Sequence, residues 1–301
     1  IYRQLAQANP KVPEHRFLEA TVLLQQEKPE EARRAFTAAS EAAPDFLPAV
    51  EALANLDISE GRFPSAIERL RTFIASHPQS GPAHLALAGA YLRQPDNAKA
   101  EETLLKLIQI DPDNAGGYNL LSKLYVDTRQ VDKAIAKLTE STSRNPKDAA
   151  ASYVLGTMHE AQKNFPAARD AYTKAIAANP KMGQALNNLA YIYSEHVVDL
   201  DKALDAAQRA REALPAVPEI ADTLGWIFFK KRQYSRALAL IQECAEKVPD
   251  NVDVQFHLGL AAYMSGKEAL ARKALERALG SKREFAGADE ARQALAILNV
   301  D

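Results

Sequence analysis

AAASYVLGTMHEAQKNFPAARDAYTKAIAANPKM, residues 149–182, contains the pattern that decides the fold of this 301-residue chain. Its eighth position is Gly156, its twentieth is Ala168, and a proline stands near its end at position 180. Prolines recur every 34 residues, with one residue inserted after the sixth, at Pro10, Pro44, Pro78, Pro112, Pro146, Pro180, Pro215 and Pro249. A constant interval of this length is typical of a tandem repeat protein.

The interval predicts eight repeats that follow one another without a linker: 13–46, 47–80, 81–114, 115–148, 149–182, 183–217, 218–251 and 252–285. Residues 1–12 are predicted to be the second helix of an upstream repeat whose first helix is missing, so we expect the natural protein to continue upstream. Residues 286–301 are predicted to form a C-terminal capping helix, because their apolar residues recur at spacings of three and four.

Two positions of the repeat hold only small residues. The eighth position reads Ala20, Ala54, Ala88, Ser122, Gly156, Ala190, Gly225 and Gly259. The twentieth, shifted by one in the sixth repeat, reads Ala32, Ala66, Ala100, Ala134, Ala168, Ala203, Ala237 and Ala271. Small residues let two helices approach closely, and proline ends the second helix because it cannot continue the hydrogen-bond ladder. Each repeat is therefore predicted to be two helices joined by a short turn.

This pattern resembles the tetratricopeptide repeat family over nearly the whole chain. The resemblance implies an all-α fold, a right-handed superhelix (α-solenoid) of about eight helix-turn-helix repeats. It also implies a concave groove that binds a partner protein. The fourth position departs from the family, which favours a large residue there, so looser packing is expected in several repeats. That position holds Arg16, Val50, His84, Tyr118, Ser152, Leu186, Ala221 and Gln255.

Composition and motifs argue against several classes of function. The net charge of −2 offers no general attraction to nucleic acid, and no apolar run is long enough to span a bilayer. A single cysteine, Cys244, excludes an internal disulfide, and the six histidines show no metal-binding spacing. There is no glycine-rich phosphate loop. We therefore predict a protein that is not an enzyme and that uses no cofactor and no metal.

Helical periodicity separates a packing stripe from a second stripe about 110° further round, which contains the fifth, ninth and twelfth positions of each repeat. In the family this second stripe lines the groove. The resemblance therefore gives the candidate partner-binding residues, an inner wall of amide, carboxylate and aromatic groups. They are Asn119, Lys123, Tyr153, Thr157, Asn187, Tyr191, Asp222, Trp226, Phe229 and Phe256.

Alternatives remain open for parts of this wall. Trp226, the sole tryptophan, either packs against neighbouring aromatic residues or contacts a partner. The basic run Lys230–Arg232 is interpreted as a solvated face rather than a phosphate site. The lysine and asparagine clamp of chaperone-binding family members has no match in three consecutive repeats. The wall holds a single lysine, which disfavours RNA as a partner.

A narrower resemblance covers residues 183–299, including ALNNLAYIYSEHVVDLDKALDAAQRAREALP (185–215) and FAGADEARQALA (285–296). These segments resemble bacterial envelope-associated repeat proteins, among them the exosortase-linked (PEP-CTERM) lipoproteins. The resemblance implies a periplasmic or membrane-anchored scaffold for export or exopolysaccharide assembly, with a cytoplasmic location still open. The alternative function is a glycan-binding or glycan-guiding module that uses Tyr153, Tyr191 and Trp226 as stacking platforms. Self-association through exposed end faces is a third possibility.

Overall fold

The computed structural model describes residues 2–9, 11–281 and 283–298. These residues form eighteen α-helices and one π-helical turn, with no β-strand among them. The all-α class predicted from the repeat pattern is confirmed. The helices are α1 Tyr2–Ala8, α2 Pro13–Gln25, α3 Pro29–Ala42, α4 Leu47–Ser59, α5 Phe63–Ser76, α6 Gly81–Arg93, α7 Asn97–Ile110, α8 Ala115–Asp127, α9 Val131–Arg144, α10 Ala149–Ala161, α11 Phe165–Ala178, α12 Gly183–Ile192, α13 Leu200–Ala213, α14 Pro218–Lys230, α15 Tyr234–Lys247, α16 Val252–Met264, α17 Glu268–Leu279 and α18 Ala288–Leu298.

From α2 to α17 the helices form pairs, each a first helix followed by a second. Close approach within a pair depends on the small residues of the repeat. A Cβ atom added to Gly156 would lie 2.5 Å from the Tyr172 ring, and one added to Gly259 would lie 2.5 Å from Leu275 Cδ2. All eight alanines of the twentieth position are fully buried. The small residues at the eighth and twentieth positions therefore let the second helix pack directly on the first.

The fourth position is buried in seven of the eight repeats, and Arg16 is half-buried. Small residues such as Ser152 and Ala221 are as buried there as Tyr118 is. The hydroxyl of Ser152 has no hydrogen-bond partner within the described residues. Smaller residues at the fourth position are therefore not more exposed to solvent, as looser packing there could have implied.

The turn within each pair has one residue with a positive φ, which the sequence alone did not reveal. It is the fifteenth residue of the repeat in seven repeats and the sixteenth in the sixth repeat. φ is 58° at Lys163 and 59° at Arg232, for example, and 75° at Gly61. The next residue closes the turn by donating its N–H to a carbonyl five residues earlier, as from Asn164 to His159 O at 2.8 Å. This is the Schellman motif, which satisfies carbonyls at the end of a helix.

The residue inserted in the sixth repeat is absorbed at the end of α12. The chain continues past Ile192 as a π-helical turn, Tyr193–Val197, and the left-handed residue is Val198. The closing hydrogen bond then spans six residues, from Asp199 N to Tyr193 O at 3.0 Å. A β-branched residue in this conformation is strained, and the Val198 side chain is exposed and so gains little from packing.

The chain divides into two compact units, Ile1–Asn145 and Pro146–Asp301. In the first, a cluster around Phe36 and Leu53 joins α3 to its neighbours. In the second, the core includes Ile227, Ile241 and the sole cysteine. Burial raises the pKa of Cys244 to about 12, so this thiol stays protonated and packs as an apolar side chain.

The two ends of the described chain each carry one helix outside the pairs. α1 packs against α2. α18 covers α16 and α17 with Ala291, Ala294 and Leu298, which share a cluster with Leu275. Ile1, Pro10 and residues 299–301 of the predicted end segments lie outside the described residues. The assignment of these helices as part of an upstream repeat and as a cap stays a prediction.

One carboxylate of the first unit is buried among arginines. Asp57 lies 2.7 Å from Arg33, 3.1 Å from Arg62 and 3.3 Å from Arg69, and only 2% of its surface is exposed. Burial alone would raise the pKa of Asp57, but hydrogen bonds from Arg62, Arg33 and Arg69 outweigh it and hold the pKa below its usual value. The ionised carboxylate therefore links α3, α4 and α5.

We expect Asp57→Asn to lower the free energy of unfolding by about 2 kcal/mol at pH 7, because the amide no longer offsets the arginine charges. Since the folded pKa of Asp57 is depressed, its contribution is present above the unfolded value of about 3.9 and is lost as pH falls through the folded pKa. Urea unfolding should thus show a smaller difference between wild type and variant at acid pH. Asp127→Asn, on an exposed ion pair, is the control and should change little.

Val198→Gly should raise the free energy of unfolding by about 1 kcal/mol, because glycine adopts the left-handed conformation without strain. The control is Val197→Gly, because Val197 lies in the π-helical turn and has no positive φ. This substitution should lower the free energy of unfolding by about 0.5 kcal/mol. Urea unfolding of both variants measures the difference. Equal destabilisation by both would contradict the strain assigned to Val198.

Candidate functional site

The predicted inner-wall residues divide between the two compact units. Asn119 and Lys123 lie in the first unit, exposed and one turn apart on α8. Lys123 Nζ is 3.0 Å from Asp127 Oδ2 on the same helix. The other eight residues lie in the second unit, and we describe them there.

Tyr153 and Thr157 begin the wall of the second unit on α10. Tyr153 is half-buried, with its ring centroid 5.9 Å from that of the fully buried Tyr172. The hydroxyl of Thr157 donates to Val154 O of its own helix at 2.8 Å. Tyr153 therefore packs on the core of its repeat, and Thr157 is satisfied within the helix.

Asn187 and Tyr191 lie one turn apart on α12. Asn187 is half-buried, and its Oδ1 atom has no hydrogen-bond partner within the described part of the chain. Tyr191 is 42% exposed and meets the His196 ring edge-on at 5.5 Å. Burial, assisted by the carboxylates of Glu195 and Glu160, raises the pKa of Tyr191, so its hydroxyl is neutral. The unpaired Asn187 Oδ1 atom is buried, whereas Tyr191 is the exposed side chain of the two.

Three rings from two helices form an aromatic stack: Phe229, Trp226 and His257. The centroids of Trp226 and Phe229 are 4.7 Å apart with the planes 5° from parallel. His257 covers the opposite face of the indole at 4.0 Å and 18°. Trp226 is only half-buried in spite of these contacts. Since rings cover both faces of the indole, its exposed part is the ring edge.

A hydrogen bond to a carboxylate fixes the third ring of the aromatic stack. His257 Nδ1 donates to Asp222 Oδ2 at 2.9 Å, and both side chains are mostly buried. Asp222 lies one turn before Trp226 on α14, so a single helix supplies the central ring and the carboxylate that orients its neighbour. His257 was not among the predicted wall residues.

A cavity of about 520 Å³ opens beside the aromatic stack, within the second unit. Its apolar lining comes from the rings of Tyr191, Trp226 and Phe256. Its charged lining consists of the carboxylates of Glu195, Asp222 and Asp253. Phe256 is buried, and the chain at Gly287 lies so close to it that an added Cβ would meet its ring.

The structure brings together four of the predicted residues around this cavity and leaves others away from it. Tyr191, Asp222, Trp226 and Phe256 line the cavity. Phe229 lies on the far face of the indole and supports it. Tyr153, Thr157 and Asn187 are wall residues on α10 and α12 that do not line it, and their binding role stays a prediction.

The π-helical turn supplies the cavity residues that the sequence did not indicate. Glu195 accepts from Lys230 Nζ at 2.7 Å, and His196 stacks on Phe165 with the planes 8° apart. Lys231 Nζ lies 2.5 Å from Asp201 Oδ1. Lys230 and Lys231 are thus ion-paired to the preceding repeat rather than simply solvated. The inserted residue of the sixth repeat is the signal that marks this turn in the sequence.

The described residues contain no group of three or more histidine, cysteine, aspartate or glutamate side chains arranged to hold a metal ion. None of the described helices combines the length and apolar character needed to cross a bilayer. The residues that line the cavity offer aromatic contact, hydrogen bonding and charge.

A family model matches almost all of the chain. The model described as Tetratricopeptide repeat aligns with residues 1–47, 51–115, 119–182, 161–218 and 223–296. Both compact units are covered by these matches.

Curated relatives resemble the chain over part of their own length. A TPR repeat-containing protein of Pseudomonas aeruginosa is 24% identical over 179 residues, 59% of this chain and 30% of the relative. Hsp70-Hsp90 organizing protein 1 of Glycine max is 26% identical over 42% of this chain and 22% of the relative. A BBSome complex member BBS4 homolog of Drosophila melanogaster is 23% identical over 77% of this chain and 48% of the relative. The chain thus spans less than half the length of these relatives.

Solved structures share the fold at low sequence identity. YrrB, described as a TPR protein with an unusual peptide-binding site, has a TM-score of 0.54 at 20% identity, covering 64% of this chain and 99% of that one. PilF of Pseudomonas aeruginosa has a TM-score of 0.57 at 18% identity, and the match covers 74% of this chain and 99% of PilF. These similarities support the tandem helix-pair architecture.

We expect Trp226→Ala to lower the free energy of unfolding by about 3 kcal/mol, because it removes the middle of the aromatic stack. Trp226→Phe should recover most of this loss, since a ring remains between Phe229 and His257. Urea unfolding followed by circular dichroism measures both. A loss in Trp226→Ala no larger than that of an exposed substitution would show that the stack does not stabilise the fold.

Proposed function

The chain belongs to the tetratricopeptide repeat family, whose members act as protein–protein interaction scaffolds, and on that premise we propose that its second unit binds an extended segment of a partner protein. The observation that carries the proposal is the cavity beside the aromatic stack. A concave surface that combines exposed aromatic edges with a few polar groups is typical of binding sites.

The arrangement of α12 and α14 supports an extended segment as the ligand. Asn187 and Tyr191 lie one turn apart, and Asp222 and Trp226 repeat that spacing on the next first helix. The buried Asn187 Oδ1 atom has no hydrogen-bond partner among the described residues, so it loses no bond when the amide turns to a bound backbone. Tyr191 offers apolar area and a hydroxyl at the mouth of the cavity.

The geometry of Trp226 favours a protein ligand over a glycan. A sugar ring stacks on the open face of an aromatic ring, but Phe229 and His257 cover both faces of the indole. Trp226 therefore presents an edge. A glycan-binding module would depend on Tyr191 and Tyr153, and Tyr153 is packed on Tyr172. We retain glycan binding as the second candidate because Tyr191 remains exposed.

We further propose that the partner belongs to a bacterial envelope, export or exopolysaccharide assembly. The support is the resemblance of residues 183–299 to envelope-associated repeat proteins, which includes the inserted residue before DLDKAL. That inserted residue forms the π-helical turn at the cavity. The feature shared with that group therefore lies next to the proposed binding site.

Selection from a display library of random peptides of about twelve residues, with the whole chain as bait, tests the proposal. Wild type should enrich a set of related peptides, and Tyr191→Ala should weaken their binding about tenfold, because it removes an exposed aromatic contact. Val154→Ala, a comparably exposed site on α10 away from the cavity, is the control. An array of acidic and neutral oligosaccharides provides the second arm.

Three results contradict the proposal. The library yields no binder, the enriched peptides bind Tyr191→Ala as well as wild type, or only oligosaccharides bind and Tyr191→Ala abolishes that binding. The last result would establish the glycan-binding alternative.

A further inference from the structure

The carboxylates that line the cavity are not accompanied there by any lysine or arginine. They are the three carboxylates of Glu195, Asp222 and Asp253. Lys230 lies beside Glu195 and Arg283 beside Asp253, but neither cation is among the lining residues. The cavity therefore presents negative charge against an aromatic wall.

The three carboxylates differ in how closely a neighbouring side chain engages them. Glu195 is bound to Lys230 at 2.7 Å, and Asp222 to the His257 ring at 2.9 Å. Asp253 has its nearest recorded cation, Arg283, only at 4.0 Å, and half of its side chain is exposed. Asp253 is thus the carboxylate best placed to receive a charge from a bound molecule.

Aromatic rings complete the surroundings that an organic cation requires. Exposed Tyr191, half-buried Trp226 and buried Phe256 all line the cavity. An ammonium or guanidinium group beside aromatic rings gains from their quadrupoles, and the aliphatic stem gains from apolar contact. A nearby carboxylate adds a charge-assisted hydrogen bond.

We propose that the cavity receives a lysine or arginine side chain of the partner segment, with Asp253 as the carboxylate that binds its charged end. This inference rests on the proposed function, because the side chain must arrive on a bound segment. An acidic side chain or a terminal carboxylate would meet three negative groups there. A bare metal ion would meet carboxylates that are already paired, apart from Asp253.

The test uses matched synthetic peptides of about twelve residues, built from glycine, serine and alanine around one central residue. That residue is lysine, arginine, glutamine or glutamate. Trp226 fluorescence reports binding without a label, since the chain has a single tryptophan. The lysine and arginine peptides should change the emission with dissociation constants about tenfold or more below that of the glutamine peptide, and the glutamate peptide should bind weakest.

Asp253→Asn should weaken the lysine peptide about three- to tenfold, and added salt should reduce that difference because it screens the charge. The matched control is Asp250→Asn, which removes the same charge from the turn just before α16. Asp250 is 92% exposed, pairs with Arg277 and does not line the cavity. The control should change affinity less than twofold, and both variants should melt close to the wild-type temperature.

Equal binding of the lysine and glutamine peptides, or equal effects of the two aspartate substitutions, would overturn the inference. So would the absence of any response to the lysine peptide up to about 10 mM, where no specific contact would remain. Such results leave the proposed function intact if the display library still yields peptides whose binding depends on Tyr191. Failure of the library selection, by contrast, would contradict both the proposed function and the inference that the cavity receives a lysine or arginine side chain.

Discussion

The close approach of two helices at a pair of small residues is the constraint on which this structure depends. Where the eighth position is glycine, as at Gly156, there is no room for even one added carbon against Tyr172. Because the second helix packs so closely on the first, the next first helix follows at a short distance. α14 and α16 therefore lie near enough for Asp222 to reach His257 at 2.9 Å. The candidate site is a consequence of repeat packing rather than an addition to it.

The one irregularity of the repeat occurs at the same place as the candidate site. An extra residue in a helix end is accommodated by a π-helical turn, which changes the direction of the following side chains. Here the turn brings Glu195 and His196 to the cavity while Val198 takes the left-handed conformation. Strained backbone is often found at functional sites. The ion pair of Glu195 with Lys230 holds the turn against α14.

The repeat length, the helix pairs and their buried alanines could be predicted from sequence because they recur eight times at a fixed interval. Four of the predicted wall residues line the cavity for the same reason, since a fixed position maps to a fixed helix face. His257 could not be predicted, because its role depends on the distance between two first helices and not on its own position. The covering of both faces of Trp226 also could not be predicted. Phe229 lies on the same helix as Trp226, but His257 comes from α16.

Packing in the aromatic stack and the proposed binding role are compatible for Trp226. Its two faces are occupied by Phe229 and His257, so the ring cannot rotate away without breaking the stack. Its edge nevertheless lines the cavity. A wall that is already ordered loses little conformational entropy when a ligand arrives, and this improves affinity without adding any contact. Packing would therefore preorganise the cavity for the partner segment proposed above, and the Asp222–His257 hydrogen bond extends the same ordering to the neighbouring helix.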